Sequence, residues 1–209
     1  MGRLIGYLKG TIYLALHLSC EEGIPVIKWL VDASYGVHAD MRSHSGAVMS
    51  LGKGAVYSKS SKQKINTKSS TEAELIVASD MSGQVLWTLY FLQHQGYSVN
   101  KNIVYQDNMS AILLEKNGQL SSSQRTRHIK VRYFFIKDRI ADGEIHVVYC
   151  PTEDMLGDFF TKPLQGAKFI QFRKLILGLP DDDTIQEGVG TDSQSRTRVS
   201  THLIKGSEF

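Results

Sequence analysis

Four carboxylates stand where a folded chain can least tolerate bare negative charge. Asp32 follows the apolar run Ile27, Trp29, Leu30 and Val31, and Asp107 closes Ile103-Val-Tyr105-Gln106. Asp158 lies between Met155-Leu156 and Phe159-Phe160, and Glu74 precedes a long apolar helical stripe. Burying such groups is costly unless a cation or a donor compensates. If the elements that carry them pack together, their mutual repulsion raises their pKa values. Hard divalent cations, Mg²⁺ or Mn²⁺, are the natural oxygen-bound remedy. Taken singly, each acid has a plainer reading. A strand-end Asp forms turns or caps helices, and Glu74 is a first-turn acid favoured by the helix dipole. Glu72 pairs with Ser69 as a capping box and is left out of the set. The set of four points to metal chemistry, provided the elements bring its members together.

Those elements are legible as alternating strands and helices. Residues 3–16 have helical spacing weakened by Gly6 and Gly10. Val26–Ser34 reads as a buried strand with Asp32 at its end, followed by strands at Ser45–Leu51 and Ala55–Ser58 around a Gly52-Lys-Gly54 turn. A long helix starts at Ser69 and carries Leu75, Ala78, Met81, Val85, Leu89 and Leu92 on one stripe. A strand at Ile103–Asp107, a short helix at Met109–Lys116, a basic helix over 128–140 and a strand at Glu144–Cys150 follow. A last helix is expected from Glu153 to Leu177, broken at Pro163. This order suits an α/β fold in which a mixed sheet has helices on both faces.

Composition narrows the class further. Of 209 residues, 42% are hydrophobic and 22% charged, which supports a packed core. Residues 178–209 carry a net charge of −3 and few large apolar groups, so a disordered tail is expected there. The remaining 177 residues carry +6, which favours an anionic partner. Cys20 and Cys150 are the two cysteines, too few for a disulfide framework. No apolar run of membrane-spanning length and no secretory leader is evident, so an intracellular chain with no membrane partner is expected. Other site types fail on spacing. Five residues rather than four separate Gly46 from Gly52-Lys53, and Gly54 follows, which is no phosphate loop, and the seven histidines show no zinc spacing.

Seven stretches in order resemble the C-terminal end of the polyprotein of copia-type LTR retrotransposons, from the close of the reverse-transcriptase region through its ribonuclease H domain. They are Arg3-Leu-Ile-Gly-Tyr-Leu-Lys-Gly-Thr11, Val31-Asp-Ala-Ser34, Asp40-Met-Arg-Ser-His-Ser-Gly46, Ser69-Ser-Thr-Glu-Ala-Glu-Leu75, Gln106-Asp-Asn-Met-Ser-Ala111, Arg127-His-Ile-Lys130 and Gly157-Asp-Phe-Phe-Thr-Lys-Pro-Leu164. The resemblance implies a ribonuclease H-like fold with a five-stranded mixed sheet, three antiparallel strands and then two more. It divides the chain into a connection or thumb remnant at 1–25, a ribonuclease H domain at 26–177 and the tail at 178–209. It also implies that Asp32, Glu74, Asp107 and Asp158 are catalytic and hold two Mg²⁺ ions, with Mn²⁺ as a substitute.

The implied activity is hydrolysis of the RNA strand of RNA–DNA hybrids during reverse transcription, with the polymerase part of the parent polyprotein as partner. Localisation would follow the retrotransposon particle in the cytoplasm, or the nucleus. Basic residues Lys62, Lys68, Arg125, Arg127 and Lys130, with Ser34, Asn108 and His128, are the candidate nucleic-acid contacts. Two departures accompany the match. Cys150-Pro-Thr-Glu-Asp154 lacks the histidine of cellular relatives, and Tyr105-Gln-Asp-Asn108 has one acid where a polymerase motif has two. The alternative is a non-catalytic hybrid-binding remnant or connection module of a truncated polyprotein.

Overall fold

A computed structural model describes residues 2–20, 24, 26–117 and 127–180. It resolves into two compact units, one of them Leu14–Asp182. The other contains helix α1, Gly2–Thr11, which buries none of its residues. That helix is shorter than the spacing over 3–16 suggests: it stops at Thr11, whose hydroxyl donates to the Tyr7 carbonyl at 2.7 Å. Of the tail expected at 178–209, residues 181–209 lie outside the described residues, while Gly178 caps the last helix.

The larger unit is built on β2, Val26–Ser34, nine residues long and buried along most of its length. Strand β3, His44–Ser50, runs antiparallel to it with Asp32 opposite Gly46, and β5, Tyr57–Lys62, runs antiparallel to β3. On the other side β6, Lys101–Gln106, is parallel to β2, and β7, His146–Tyr149, is parallel to β6. The sheet order is β5-β3-β2-β6-β7. An order with β2 central and a parallel β6 puts the ends of β2 and β6 side by side, which is where Asp32 and Asp107 stand.

Alternation along β2 assigns its two faces. Ile27, Trp29, Val31 and Ala33 join Val77, Met81, Val85 and Leu89 of helix α2, Ser70–His94, in the main core. Trp29 is fully buried and meets Tyr57 edge-on, with ring centroids 5.7 Å apart. By length and composition α2 could cross a membrane, contrary to the expectation that no segment could, but its apolar residues here cover the sheet. Leu30 lies on the opposite face with Val48, Cys150 and Met155, packed under the 3₁₀ turn Leu156–Phe160. Helix α3, Met109–Asn117, and helix α4, Arg127–Ala141, follow β6. Helix α5, Gly166–Leu177, ends at Gly178 in the left-handed conformation, φ 66°.

Three boundaries depart from the sequence reading. Gly52–Lys53 is a short strand, β4, rather than a hairpin turn, and pairs with β1, Ser19–Cys20. The third sheet strand therefore starts at Tyr57, later than the expected Ala55; being an edge strand, Tyr57-Ser-Lys-Ser-Ser-Lys62 needs little apolar alternation. Residues 14–20 fall in the same compact unit as the sheet, where the His17 N–H donates to the Leu177 carbonyl at 2.8 Å. The segment after Asp154 forms the 3₁₀ turn and then α5, with Pro163 between them and Gly166 at φ 61°.

Candidate metal centre

Asp32, Glu74 and Asp107 each offer a carboxylate oxygen, and those atoms lie within 4.8 Å of one another. Each is delivered by a different element. Asp32 sits two residues before the C-terminal end of β2, and Asp107 immediately follows β6. Glu74 stands in the first turns of α2, whose start is set by Ser69: the Glu72 N–H donates to the Ser69 hydroxyl at 3.2 Å. The Glu72 carboxylate reaches past Ser69 to accept from the Lys68 N–H at 2.7 Å, so it caps the helix and stays out of the site.

Neighbouring donors fix each carboxylate. The Ala33 N–H donates to Glu74 Oε1 at 3.0 Å, the Thr161 hydroxyl donates to Asp32 Oδ2, and the Thr152 hydroxyl donates to Asp107 Oδ2 at 3.0 Å. Glu74 Oε2 is buried and has no hydrogen-bond partner among the described residues. An orphaned carboxylate oxygen facing two further carboxylates is a costly arrangement for protein alone. It suits a hard divalent cation, for which three convergent carboxylates are an apt donor set. Burial lifts the Asp32 carboxyl from 3.8 to about 6; Asp158 and Asp107 add to the rise, while the Thr161 bond and Lys162 oppose it. Burial, then Asp32, pushes Glu74 well above the usual carboxylate range.

Asp158 is placed differently. It is 2% exposed in the 3₁₀ turn, close to Asp32, but both its oxygens are taken by lysines. Lys162 Nζ is 2.5 Å from Asp158 Oδ1 and 3.8 Å from Asp32 Oδ1, and Lys168 Nζ is 3.0 Å from Asp158 Oδ2. The structure thus gathers three of the four expected acids into one donor group and holds the fourth beside it in ion pairs. Lys162, Lys168 and Thr161 are site residues that attention to acids alone passes over. The Asp158–Lys162 spacing of four was the available signal.

Two glycines make this meeting sterically feasible. A Cβ on Gly157 would lie 2.7 Å from the Asp32 Cβ, and one on Gly46 would lie 2.7 Å from the Gly157 carbonyl. The 3₁₀ turn can therefore approach β2 and β3 closely enough for Thr161 and Lys162 to reach Asp32. It is also pinned from the sheet edge, where the Ser60 hydroxyl donates to the Phe160 carbonyl at 2.7 Å. His44 lies 2.8 Å from that hydroxyl.

The candidate nucleic-acid contacts are scattered. Ser34 is buried at the end of β2, Lys68 is exposed just before α2, and Lys62 is paired with Asp40 at 2.6 Å. Asn108 accepts from the Ala111 N–H at 3.1 Å, which makes it a cap for α3. Arg127, His128 and Lys130 fall in the first turn of α4, but their side chains, like Arg125 as a whole, lie outside the described residues.

The strand order, with an acid at the end of each of the two central parallel strands and a third on the helix above, defines a ribonuclease H-like α/β domain. No family model matches the chain. The Retrovirus-related Pol polyprotein from transposon TNT 1-94 of Nicotiana tabacum is 32% identical over 174 residues, 83% of this chain and 13% of that protein. The corresponding polyprotein from transposon RE1 of Arabidopsis thaliana is 31% identical over 176 residues, 83% of this chain and 12% of that protein. Among solved structures, LC11-RNase H1, isolated from compost, aligns with a TM-score of 0.43 at 13% identity, covering 62% of this chain and 86% of that one. By sequence the chain is a relative of the copia-type retrotransposon Pol polyproteins, and it spans 12–13% of the length of these two.

Proposed function

We propose that the chain is a metal-dependent ribonuclease H that hydrolyses the RNA strand of RNA–DNA hybrids as part of a retrotransposon polyprotein. One observation carries the reading: three carboxylates converge within 4.8 Å, and one of their oxygens is buried without a partner among the described residues. Asp32, Glu74 and Asp107 would hold Mg²⁺ or Mn²⁺, with Asp158 as the fourth acid if a second ion binds. A bound ion supplies Lewis-acid charge to the scissile phosphate and lowers the pKa of a coordinated water.

The chain's own residues do the rest. The Ala33 N–H, the Thr161 hydroxyl and the Thr152 hydroxyl hold the three carboxylates in fixed directions, so little reorganisation is needed when a cation arrives. Burial of Asp32 and Glu74 keeps bulk water from competing for their oxygens. Positive charge on the body draws in the anionic duplex, and phosphate contacts position it without reading sequence. A preference for RNA would rest on contacts with 2′-hydroxyls. The same reading takes the polymerase region of the parent polyprotein as partner and a cytoplasmic particle or the nucleus as location.

The test is cleavage of labelled RNA–DNA hybrid, double-stranded RNA and duplex DNA by the wild type and by Asp107→Asn in Mg²⁺. Only the hybrid should be cut. The variant should lose about 10²–10³ in rate, the scale of losing one preorganised electrostatic element, while hybrid binding in Ca²⁺ holds. A variant within a few-fold of wild type would remove Asp107 from the chemistry, and a wild type that binds hybrid without cutting it would favour a non-catalytic binding module.

A further inference from the structure

The two sides of the acidic site are compensated differently. On one side Glu74 Oε2 is buried without a partner among the described residues, and the Asp107 carboxylate accepts from the neutral Thr152 hydroxyl. On the other, Asp158 has a lysine on each oxygen, and the nearer lysine also faces Asp32. The Lys162 side chain is 38% exposed, while its backbone N–H is fixed to the Asp158 carbonyl at 2.9 Å. The ammonium can therefore swing into solvent on its four-carbon stem without moving the turn that carries it.

We propose that Lys162 is a resident counter-cation, so that the Asp32–Glu74–Asp107 group takes a divalent ion first and Asp158 becomes a ligand only when a second ion displaces the lysine. This rests on the metal-dependent reading above and adds an order to it. The first ion meets carboxylates that have no ion pair among the described residues other than the long one from Lys162, 3.8 Å from Asp32 Oδ1. The second must break a charge-assisted hydrogen bond before it gains a ligand, and that bond sets the gap between the two affinities. Lys168 holds the other oxygen of Asp158 and adds to the same penalty. Lys162 acts here through the ion it excludes and is a positioning residue.

Calorimetric titration of the 209-residue chain with Ca²⁺, and separately with Mg²⁺, tests the order. Wild type should show one event and a second that is much weaker. Lys162→Met should tighten the second event about ten- to a hundredfold, the strength of one hydrogen bond to a charged group, and the first by a much smaller factor, since Lys162 faces Asp32 only from 3.8 Å. Lys162→Arg, which keeps the charge, should behave as wild type. A second readout needs no variant and so survives a folding defect. Acetylation of Lys162, followed by peptide mass spectrometry, should be slow without divalent ions and several-fold faster at saturating Ca²⁺. If the Met variant binds both ions within twofold of wild type, or if Ca²⁺ leaves the acetylation rate unchanged, Lys162 is no gate. If wild type takes two ions equally well and still cuts hybrid, this inference falls alone; if no divalent ion binds any variant, it falls with the functional reading.

Discussion

Glu115 provides the sharpest thermodynamic test because it is a fully buried acid outside the metal centre. Its oxygens lie 3.1 Å from the side-chain amide of Gln106, the residue just before Asp107. The carboxyl borders a cavity of about 10 Å³, lined by Ala78, Met81, Val85, Val104 and Ile136 with Ser82 as the polar exception among α2 residues. Burial raises its pKa from 4.5 to about 8, against the opposing effects of Gln106 and Lys116. In the neutral form the Glu115 hydroxyl donates to Gln106 Oε1, which leaves Gln106 Nε2 to donate to the Glu74 carbonyl at 3.3 Å. Ionisation would require the amide to turn and surrender that contact. Below pH 4.5 folded and unfolded chains both hold the proton. Between 4.5 and 8 the unfolded chain has lost it and the folded chain has not, so stability falls as pH rises; above 8 the loss is complete. At 1.36 kcal/mol per pH unit, the loss is about 5 kcal/mol, comparable with the whole stability of many domains. Glu115→Gln keeps the donor to Gln106 and removes the titration. Urea unfolding of both proteins at pH 4.5, 6.5 and 8.5 should show curves that coincide at the lowest pH and diverge steadily. A constant difference across that range would mean that Glu115 is already ionised in the folded protein.

Other consequences can be checked with single substitutions. Glu74→Gln should stabilise the ion-free protein near neutral pH, since it removes a buried acid whose ionisation the fold opposes, and should abolish the Tm increase that Mg²⁺ gives the wild type. Thr161→Val should shift the Asp32 titration, followed by carboxyl NMR on ion-free protein, upward from about 6, because the lost hydroxyl favours the ionised form. Gly157→Ala should cost about 1–3 kcal/mol in denaturant unfolding, as overpacking does, and should weaken cation binding by pushing the 3₁₀ turn off Asp32.

How much of this was readable in advance depends on where the physical signal resides. Asp32, Asp107 and Glu74 announced themselves because each adjoins an apolar run on its own element, a local pattern. The order of strands and helices followed from periodicity, and the sheet formed with β2 at its centre. Glu115 gave no such notice: flanked by Leu114 and Lys116, it reads as a helix surface residue. Its burial arises only when α3 meets α4 and the sheet. Strand β4 was taken for a turn because its partner, Ser19–Cys20, lies some thirty positions away in a segment without apolar alternation. The lysines on Asp158 were in plain view within Gly157-Asp-Phe-Phe-Thr-Lys-Pro-Leu164 and at Lys168, but a search for acids has no place for cations that compete with the metal.

The meeting of residues 14–20 with the end of α5 has a consequence for how such a domain sits in a longer chain. The His17 N–H bonds to Leu177, the Ala55 N–H bonds to the Ile176 carbonyl at 2.8 Å, and a Cβ on Gly178 would collide with the His17 carbonyl. The polypeptide thus comes into the body and goes out of it through one doorway, with glycine as its hinge plate. A domain with adjacent points of departure can be spliced into a host chain, or cut and rejoined in a new order, without stretching its sheet. Joining residue 180 to residue 14 through a few glycines and opening the chain in the loop between α2 and β6 should yield a circular permutant that keeps the same acidic site.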